Sequence, residues 1–230
     1  MGCLLFLTGC GARGGEHLAA WEEDKAGYVA LTFDDGPSQY TEELLDGLKA
    51  RNVHATFFLI GCQVEDYASL VRRMAAEGHQ IGNHSYDHGN LQTMQPGEAL
   101  ADIRQCRQVL CRVLGEDTYW VRPPYGLISP EEMAQIPAPL VCWSVDSRDW
   151  ELKDTGKVLQ NILDATGDGD IVLLHDRYPS SVEAALQAVD RLREQGMEFV
   201  TVEELLRLRQ VEPVCGKLYR QAKEKSAASD

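Results

Sequence analysis

No run in the 230-residue sequence approaches the roughly 20 apolar residues of a membrane-spanning helix, so none reads as a transmembrane segment. Low-complexity blocks and long Pro- or Ser-rich linkers are also missing, which excludes a disordered chain or beads on a string. The seven cysteines form no C-x-x-C pair and no even, closely spaced framework, so neither a zinc ribbon nor a disulfide scaffold is indicated. Reduced thiols are expected, with Cys142 a small core residue and Cys106 and Cys111 on one helix. Basic residues are scarce: 22 Lys and Arg stand against 36 Asp and Glu, a formal charge of -14. Such a field repels phosphate backbones, and nucleic acid is not an expected partner.

What is present is a folded-protein composition, 44% hydrophobic and 25% charged, at a length that α/β barrels reach as one unit. Residues 1–27 stand apart. Cys3 to Phe6 are apolar, and Leu7-Thr8-Gly9-Cys10 resembles part of a bacterial lipoprotein processing box, although no Lys or Arg precedes Arg13 as a secretory leader requires. A truncated leader with a lipid anchor at Cys10 is one expectation for this segment; a frayed apolar terminus is the other.

From Tyr28 onward short apolar runs alternate with stretches of helical period, the pattern of repeated β-α units around a largely parallel sheet. The pattern predicts strands at Tyr28–Phe33, Ala55–Ile60, Gln80–Asn83, Trp120–Arg122, Leu140–Ser144, Ile171–Leu174 and Glu198–Val200. Helices are predicted at Thr41–Arg51, Val64–Glu77, Pro96–Leu114, Pro130–Gln135, Gly156–Thr166, Val182–Gln195 and Val202–Arg209. Thr201 and Glu204 have the spacing of a capping box ahead of the last helix. The charged, small residues toward Asp230 predict a loose C-terminal tail over 211–230.

Polar residues gather where these strands end. Asp34-Asp35 closes the first strand and His84 the third; Arg122 ends the fourth, Asp146 follows the fifth and His175 ends the sixth. All fall on the C-terminal rim, where β-α barrels carry their chemistry. Adjacent carboxylates in a continuing strand point to opposite faces; Gly36-Pro37 is expected to break the strand, so that both reach one site. His84 and His88, four apart, share one face if the segment forms a helical turn. With a carboxylate they supply a two-His-one-carboxylate set that leaves positions open for water and substrate. A metal matters quantitatively, because an aspartate with pKa about 4 cannot deprotonate bulk water, whereas water on a catalytic zinc falls to roughly pKa 7.

Taken alone, Asp34-Asp35-Gly36-Pro37 reads as a turn, and Arg122-Pro123-Pro124-Tyr125, Asp146-Ser147-Arg148-Asp149-Trp150 and Leu173-Leu174-His175 as ordinary surface or core residues. In this order, with His84-Ser85-Tyr86-Asp87-His88, the five segments resemble the NodB-homology polysaccharide deacetylases, carbohydrate esterase family 4, over about Tyr28 to Leu206. The resemblance implies an α/β fold, a distorted (β/α) barrel of about seven parallel strands, occupying 28–210. It implies one divalent metal on Asp35, His84 and His88, with zinc expected and cobalt, nickel or manganese as alternatives. Asp34 is then the general base, oriented by Arg122; the backbone N–H of Tyr125 binds the oxyanion; His175 is the general acid, tuned by Asp146. Pro124, Trp150 and Leu173 are expected to line the substrate pocket. The implied activity is removal of N-acetyl groups from an amino-sugar polymer, peptidoglycan or chitin-like, outside the membrane or at the cell surface. O-deacetylation of xylan and non-catalytic glycan binding are the alternative readings.

Overall fold

The stretch Tyr28-Val29-Ala30-Leu31-Thr32-Phe33 is apolar without alternation, which suits a strand buried on both faces of a parallel sheet. In the computed structural model, which describes residues 27–95, 97–116 and 118–223, it forms the central strand β1, Gly27–Gly36. The leader-like segment with Cys10, and residues 224–230 of the expected tail, lie outside the described residues. After β1 the elements run α1 (Thr41–Ala50), β2 (Thr56–Leu59), α2 (Gly61–Val64), α3 (Ala68–Ala76), β3 (Gln80–Asn83), α4 (Glu98–Leu114) and α5 (Pro130–Met133). They continue with β4 (Leu140–Val141), β5 (Val145–Asp146), α6 (Asp149–Leu152), α7 (Thr155–Ala165), β6 (Ile171–His175), α8 (Pro179–Glu194), β7 (Met197–Phe199), α9 (Val202–Leu208) and β8 (Leu218–Tyr219).

Among the described residues the named strands all pair in parallel, and the main sheet runs β3-β2-β1-β6-β5, with β7 beside the first residues of β1. Beyond β3 the order continues through a single residue, Val121, which bridges Asn83 on one side and Leu140 of β4 on the other. The passage 140–146 therefore pairs with Val121 at its start and with β6 at its end. The result is a parallel-strand α/β fold, the expected class, in which the bridges of Val121 link β3 to β4.

Two expected strands differ in detail. Trp120–Arg122 is reduced to the Val121 bridge because Pro123 and Pro124, which lack N–H donors, follow at once. Of Leu140–Ser144 only Leu140 and Val141 form a strand, β4, and a second short strand, β5, follows at Val145–Asp146, because the two pair with different neighbours. The expected helix Val64–Glu77 begins later, as α3 at Ala68, and a short α2 ends at Val64 before it. The helices cover the sheet with amphipathic faces: Leu44, Leu45 and Leu48 of α1 and Val182, Ala185, Val189 and Leu192 of α8 are buried in the main core. The capping box ahead of α9 is present, Thr201 and Glu204 each bonding the other's backbone N–H. Among the described residues no helix is long and apolar enough to cross a membrane.

The expected loose tail is overturned as far as Lys223. Leu218 and Tyr219 pair with Leu140 and Val141 as β8, and Tyr219 and Ala222 are buried with Trp120, Val141 and Ile171. The tyrosine hydroxyl accepts from Val214 N–H at 3.0 Å and donates to the Glu212 carbonyl at 3.2 Å, which fastens the connection. Uncovering such a cluster costs about 1.5–3 kcal/mol per large apolar side chain. Deletion of 212–230 is therefore expected to destabilise the protein by several kcal/mol, read as a lower urea midpoint; an unchanged midpoint would remove the segment from the core.

Candidate active site

β1 remains in register with β2 through Asp34, which lies opposite Phe58, and the next partner of Leu59 is Gly36. Asp35 is skipped. It is a bulge residue with φ 67°, and the strand ends directly after it at Gly36, ahead of Pro37. A bulge re-aims side chains that a regular strand would send to opposite faces. Both carboxylates consequently reach one imidazole: Asp34 Oδ2 lies 3.6 Å and Asp35 Oδ1 3.4 Å from His84 Nε2. Gly36 is required here because a Cβ at that position would come within 2.7 Å of the Asp176 carboxylate.

His84 and His88 are brought together by a loop, in place of the expected helical turn. Ser85 and His88 have φ of 67° and 62°. The buried Asn83 side chain accepts from Ser85 N–H at 2.9 Å and donates to the Ile103 carbonyl at 2.8 Å, and the Ser85 hydroxyl accepts from His88 N–H at 3.0 Å. This scaffold sets the two rings 5.0 Å apart, with His88 Nε2 at 3.0 Å from Asp35 Oδ1.

The donor set fits a divalent cation. Ligand atoms of Asp35, His84 and His88 lie within 4.8 Å of one another. His84 Nδ1 sits 2.7 Å from the Arg122 carbonyl oxygen, which can only accept. That nitrogen therefore carries the proton and Nε2 presents its lone pair to the carboxylates, the second-sphere arrangement of a metal-ligating histidine. Asp35 Oδ1 is buried and without a hydrogen-bond donor, facing two ring nitrogens across a space that a cation would fill. Burial opposes the charge on Asp35, yet protons on the facing nitrogens of His84 and His88, where a cation would otherwise sit, outweigh it and hold its carboxyl far below the usual carboxylate range. It is an anion at any working pH.

Arg122 is wholly buried and bonded at every corner. Nη1 donates to Asp34 Oδ1 and to Thr32 Oγ1, both at 2.7 Å, while Nε and Nη2 donate to the carbonyls of Val141 and Cys142 at 3.2 and 3.1 Å. The guanidinium also lies 4.2 Å from the Phe58 ring centroid. A buried charge is tolerated only when paired and hydrogen-bonded, and here the pairing fixes one oxygen of Asp34 and leaves the other toward His84.

Across the cavity His175 meets a carboxylate, which is Asp149 and not the expected Asp146. Asp149, wholly buried at the start of α6, accepts from His175 Nδ1 at 2.8 Å through Oδ1 and from the His175 backbone N–H at 2.7 Å through Oδ2. Asp146 is exposed and turned to its own loop, where it accepts from Arg148 N–H at 2.8 Å. Burial disfavours charge on His175, but the hydrogen bond and charge of Asp149, with smaller help from Asp34 and Asp35, prevail and push its pKa up to about 9. Most of the imidazole is protonated at neutral pH.

The cavity between these groups is lined by Asp34, Asp35, His84, His88, Tyr125, Trp143, Asp146, Trp150, Leu173 and His175. Trp150 and Leu173 line it as expected, and Asp146 contributes as wall. Pro124 is buried and outside this lining; the unanticipated Trp143 is part of it. Tyr125, at φ 60° and largely exposed, lays its ring against His88 with centroids 4.9 Å apart.

A family model described as polysaccharide deacetylase matches residues 22–136, half of the chain. The peptidoglycan-N-acetylmuramic acid deacetylase PdaC of Bacillus subtilis is 38% identical over 77% of this chain and 38% of its own length. The peptidoglycan-N-acetylglucosamine deacetylase PgdA of Listeria monocytogenes is 39% identical over the same shares, 77% and 38%. The chain thus spans well under half of these curated relatives. Among solved structures, a family 4 acetyl xylan esterase from Clostridium thermocellum in complex with a cobalt ion superposes with a TM-score of 0.79 at 32% identity, covering 84% of this chain and 98% of the other.

Proposed function

Since the chain belongs to the polysaccharide deacetylase family, we propose that it is a metal-dependent N-deacetylase of amino sugars in peptidoglycan, releasing acetate and a free amine. The observation that carries this reading is the convergence of two ion pairs on one cavity: Arg122 with Asp34 on one side, Asp149 with His175 on the other, and the Asp35–His84–His88 set beside them. The names of the relatives, which describe deacetylases of both peptidoglycan sugars, support the substrate class.

Asp35, His84 and His88 would hold a divalent cation, zinc being the expected ion, which would supply Lewis acidity toward the acetyl carbonyl. The remaining work belongs to the chain. Asp34, held by Arg122 through one oxygen, takes the proton of the attacking water with the other. The backbone N–H of Tyr125 donates to the developing oxyanion. His175, protonated near neutral pH, delivers a proton to the departing nitrogen, which could not leave as an anion. Trp143, Trp150 and Leu173 shield the acetyl methyl from water. Peptidoglycan lies outside the membrane, so an extracytoplasmic place of action follows, with Cys10 as the proposed lipid-attachment residue.

The test is acetate release from peptidoglycan, chitin oligomers and acetylated xylan, with and without a chelator; no chelator-sensitive release from any N-acetylated glycan would defeat the reading. Within it, Asp34→Asn is expected to retain metal while turnover falls by roughly a hundredfold or more, the scale of a positioned acid or base. Asp35→Asn is expected to weaken the metal itself. Equal metal loss in the two variants would show Asp34 to be a ligand.

A further inference from the structure

We propose that Arg177 is a specificity-determining residue that recognises a carboxylate carried on the ring carbon next to the acetamido group of the substrate sugar. The proposal rests on the N-deacetylase reading and names the sugar that the site selects. Arg177 follows His175 by two positions, and its Nη1 lies 3.4 Å from Asp35 Oδ2, which places the guanidinium against a residue of the cavity lining. This is a loose hold. Charge-assisted bonds from a guanidinium to a carboxylate run at about 2.7–2.9 Å, and this is the one hydrogen bond that the Arg177 side chain makes among the described residues. The side chain is 53% exposed.

The surroundings make that cation distinctive. The lining contributes the carboxylates Asp34, Asp35 and Asp146, within a chain of formal charge -14. Arg122 and His175 are spent on Asp34 and Asp149, so an anionic substituent that lies outside the acetamido pocket needs a further positive group to receive it. Arg148, on the segment that carries Asp146 and Trp150, is already committed to Glu151 by hydrogen bonds of 3.1 and 2.8 Å. Arg177 has a weaker tie, and a divalent ion on Asp35 would weaken it further by taking up the carboxylate charge and repelling the guanidinium. With the acetamido group between Asp34 and His175, a substituent on the neighbouring ring carbon is only a few bonds away, within reach of a long arginine side chain. A lactyl ether ending in a carboxylate, as in N-acetylmuramic acid, has that chemistry; unsubstituted chitin and xylan do not.

The test compares a disaccharide containing N-acetylmuramic acid with its neutral methyl ester. Calorimetric binding to the zinc-loaded protein is measured in an Asp34→Asn background, so that neither ligand is turned over. The acid is expected to bind about tenfold more tightly than the ester, the scale of one charge-assisted hydrogen bond at a half-exposed site. Arg177→Gln should bring this ratio close to one, and Arg177→Lys should keep part of it, since lysine retains the charge without the fork. Preference for the acid should also shrink as salt is raised. A ratio near one in the Arg177 protein, or an unchanged ratio in Arg177→Gln, overturns the proposal. Loss of zinc from Arg177→Gln does so too, by reassigning Arg177 to holding Asp35. Acetate release by the wild type is followed in parallel: no turnover with the acid preference intact would defeat the deacetylase reading alone, whereas turnover without preference would defeat this inference alone.

Discussion

His88→Ala is expected to abolish stoichiometric zinc binding and acetate release together. Three protein ligands are the usual complement of a catalytic zinc site, and removal of one leaves Asp35 and His84, a pair that seldom holds the ion. His88 is the better probe of the two histidines for a structural reason. His84 is 2% exposed and anchored to the Arg122 carbonyl, so its removal disturbs the packing of a buried arginine; His88 is 24% exposed and its ring meets Asp35, His84 and Tyr125. The variant should fold with a urea midpoint near that of the parent, which separates metal loss from unfolding. Metal content by mass spectrometry after dialysis, alongside turnover on an N-acetylglucosamine oligomer, reads the result. One zinc per chain with parental turnover would remove His88 from the ligand set.

The order of motifs carried most of this site, because each sits where a strand ends and a barrel brings such ends to one rim. What the order could not carry is the geometry between neighbours. Asp146 and Asp149 share one five-residue segment, and choosing between them requires knowing that α6 begins at Asp149 and that its carboxylate turns inward against β6. A faint signal was available, since an Asp ahead of Trp-Glu-Leu fits the first turn of a helix. Trp143 was hidden for a related reason: it lies between the two short strands into which 140–146 divides, where alternation gives no guide to facing. The pair Asp34-Asp35 was legible as a pair, but not the bulge that makes it work, because a non-glycine residue at φ 67° leaves no compositional mark.

The fold was legible where burial is continuous and illegible where pairing is minimal. The apolar cores of β1, β2 and β6, and Gln80–Asn83 to the residue, follow from the runs themselves. The two-residue strands β4, β5 and β8 depend on contacts across the barrel that no local pattern encodes. β8 is the clearest instance: Leu218 and Tyr219 are isolated apolar residues in a charged stretch, ordered only because Val141 and Trp120 need a cover.

Asp149→Asn is expected to shift the alkaline limb of the rate profile downward, and His175→Ala to lower de-N-acetylation by roughly a hundredfold or more. An amine cannot be expelled as an anion, so the rate follows the fraction of His175 that holds its proton, which is high below its pKa and lost as pH rises through it. That pKa is pushed up to about 9 from an ordinary 6.5 because Asp149 outweighs the cost of burial. A bound divalent cation cancels the smaller share owed to Asp34 and Asp35, so the parental limb should lie somewhat below 9. Without the Asp149 charge the burial penalty stands alone, and the limb should fall to 6.5 or lower. Asp146→Asn, at an exposed carboxylate bonded only within its loop, should leave the limb in place. Linkage gives a second readout in the metal-free protein. A raised folded-state pKa stabilises fully below pH 6.5, and that stabilisation is lost as pH rises toward 9; the decline should vanish in His175→Ala. An ester substrate sharpens the assignment, because an alkoxide leaves with less help and its hydrolysis should suffer less in His175→Ala. If Asp149→Asn keeps the parental limb, or if amide and ester turnover fall equally in His175→Ala, the proton that frees the amine comes from elsewhere.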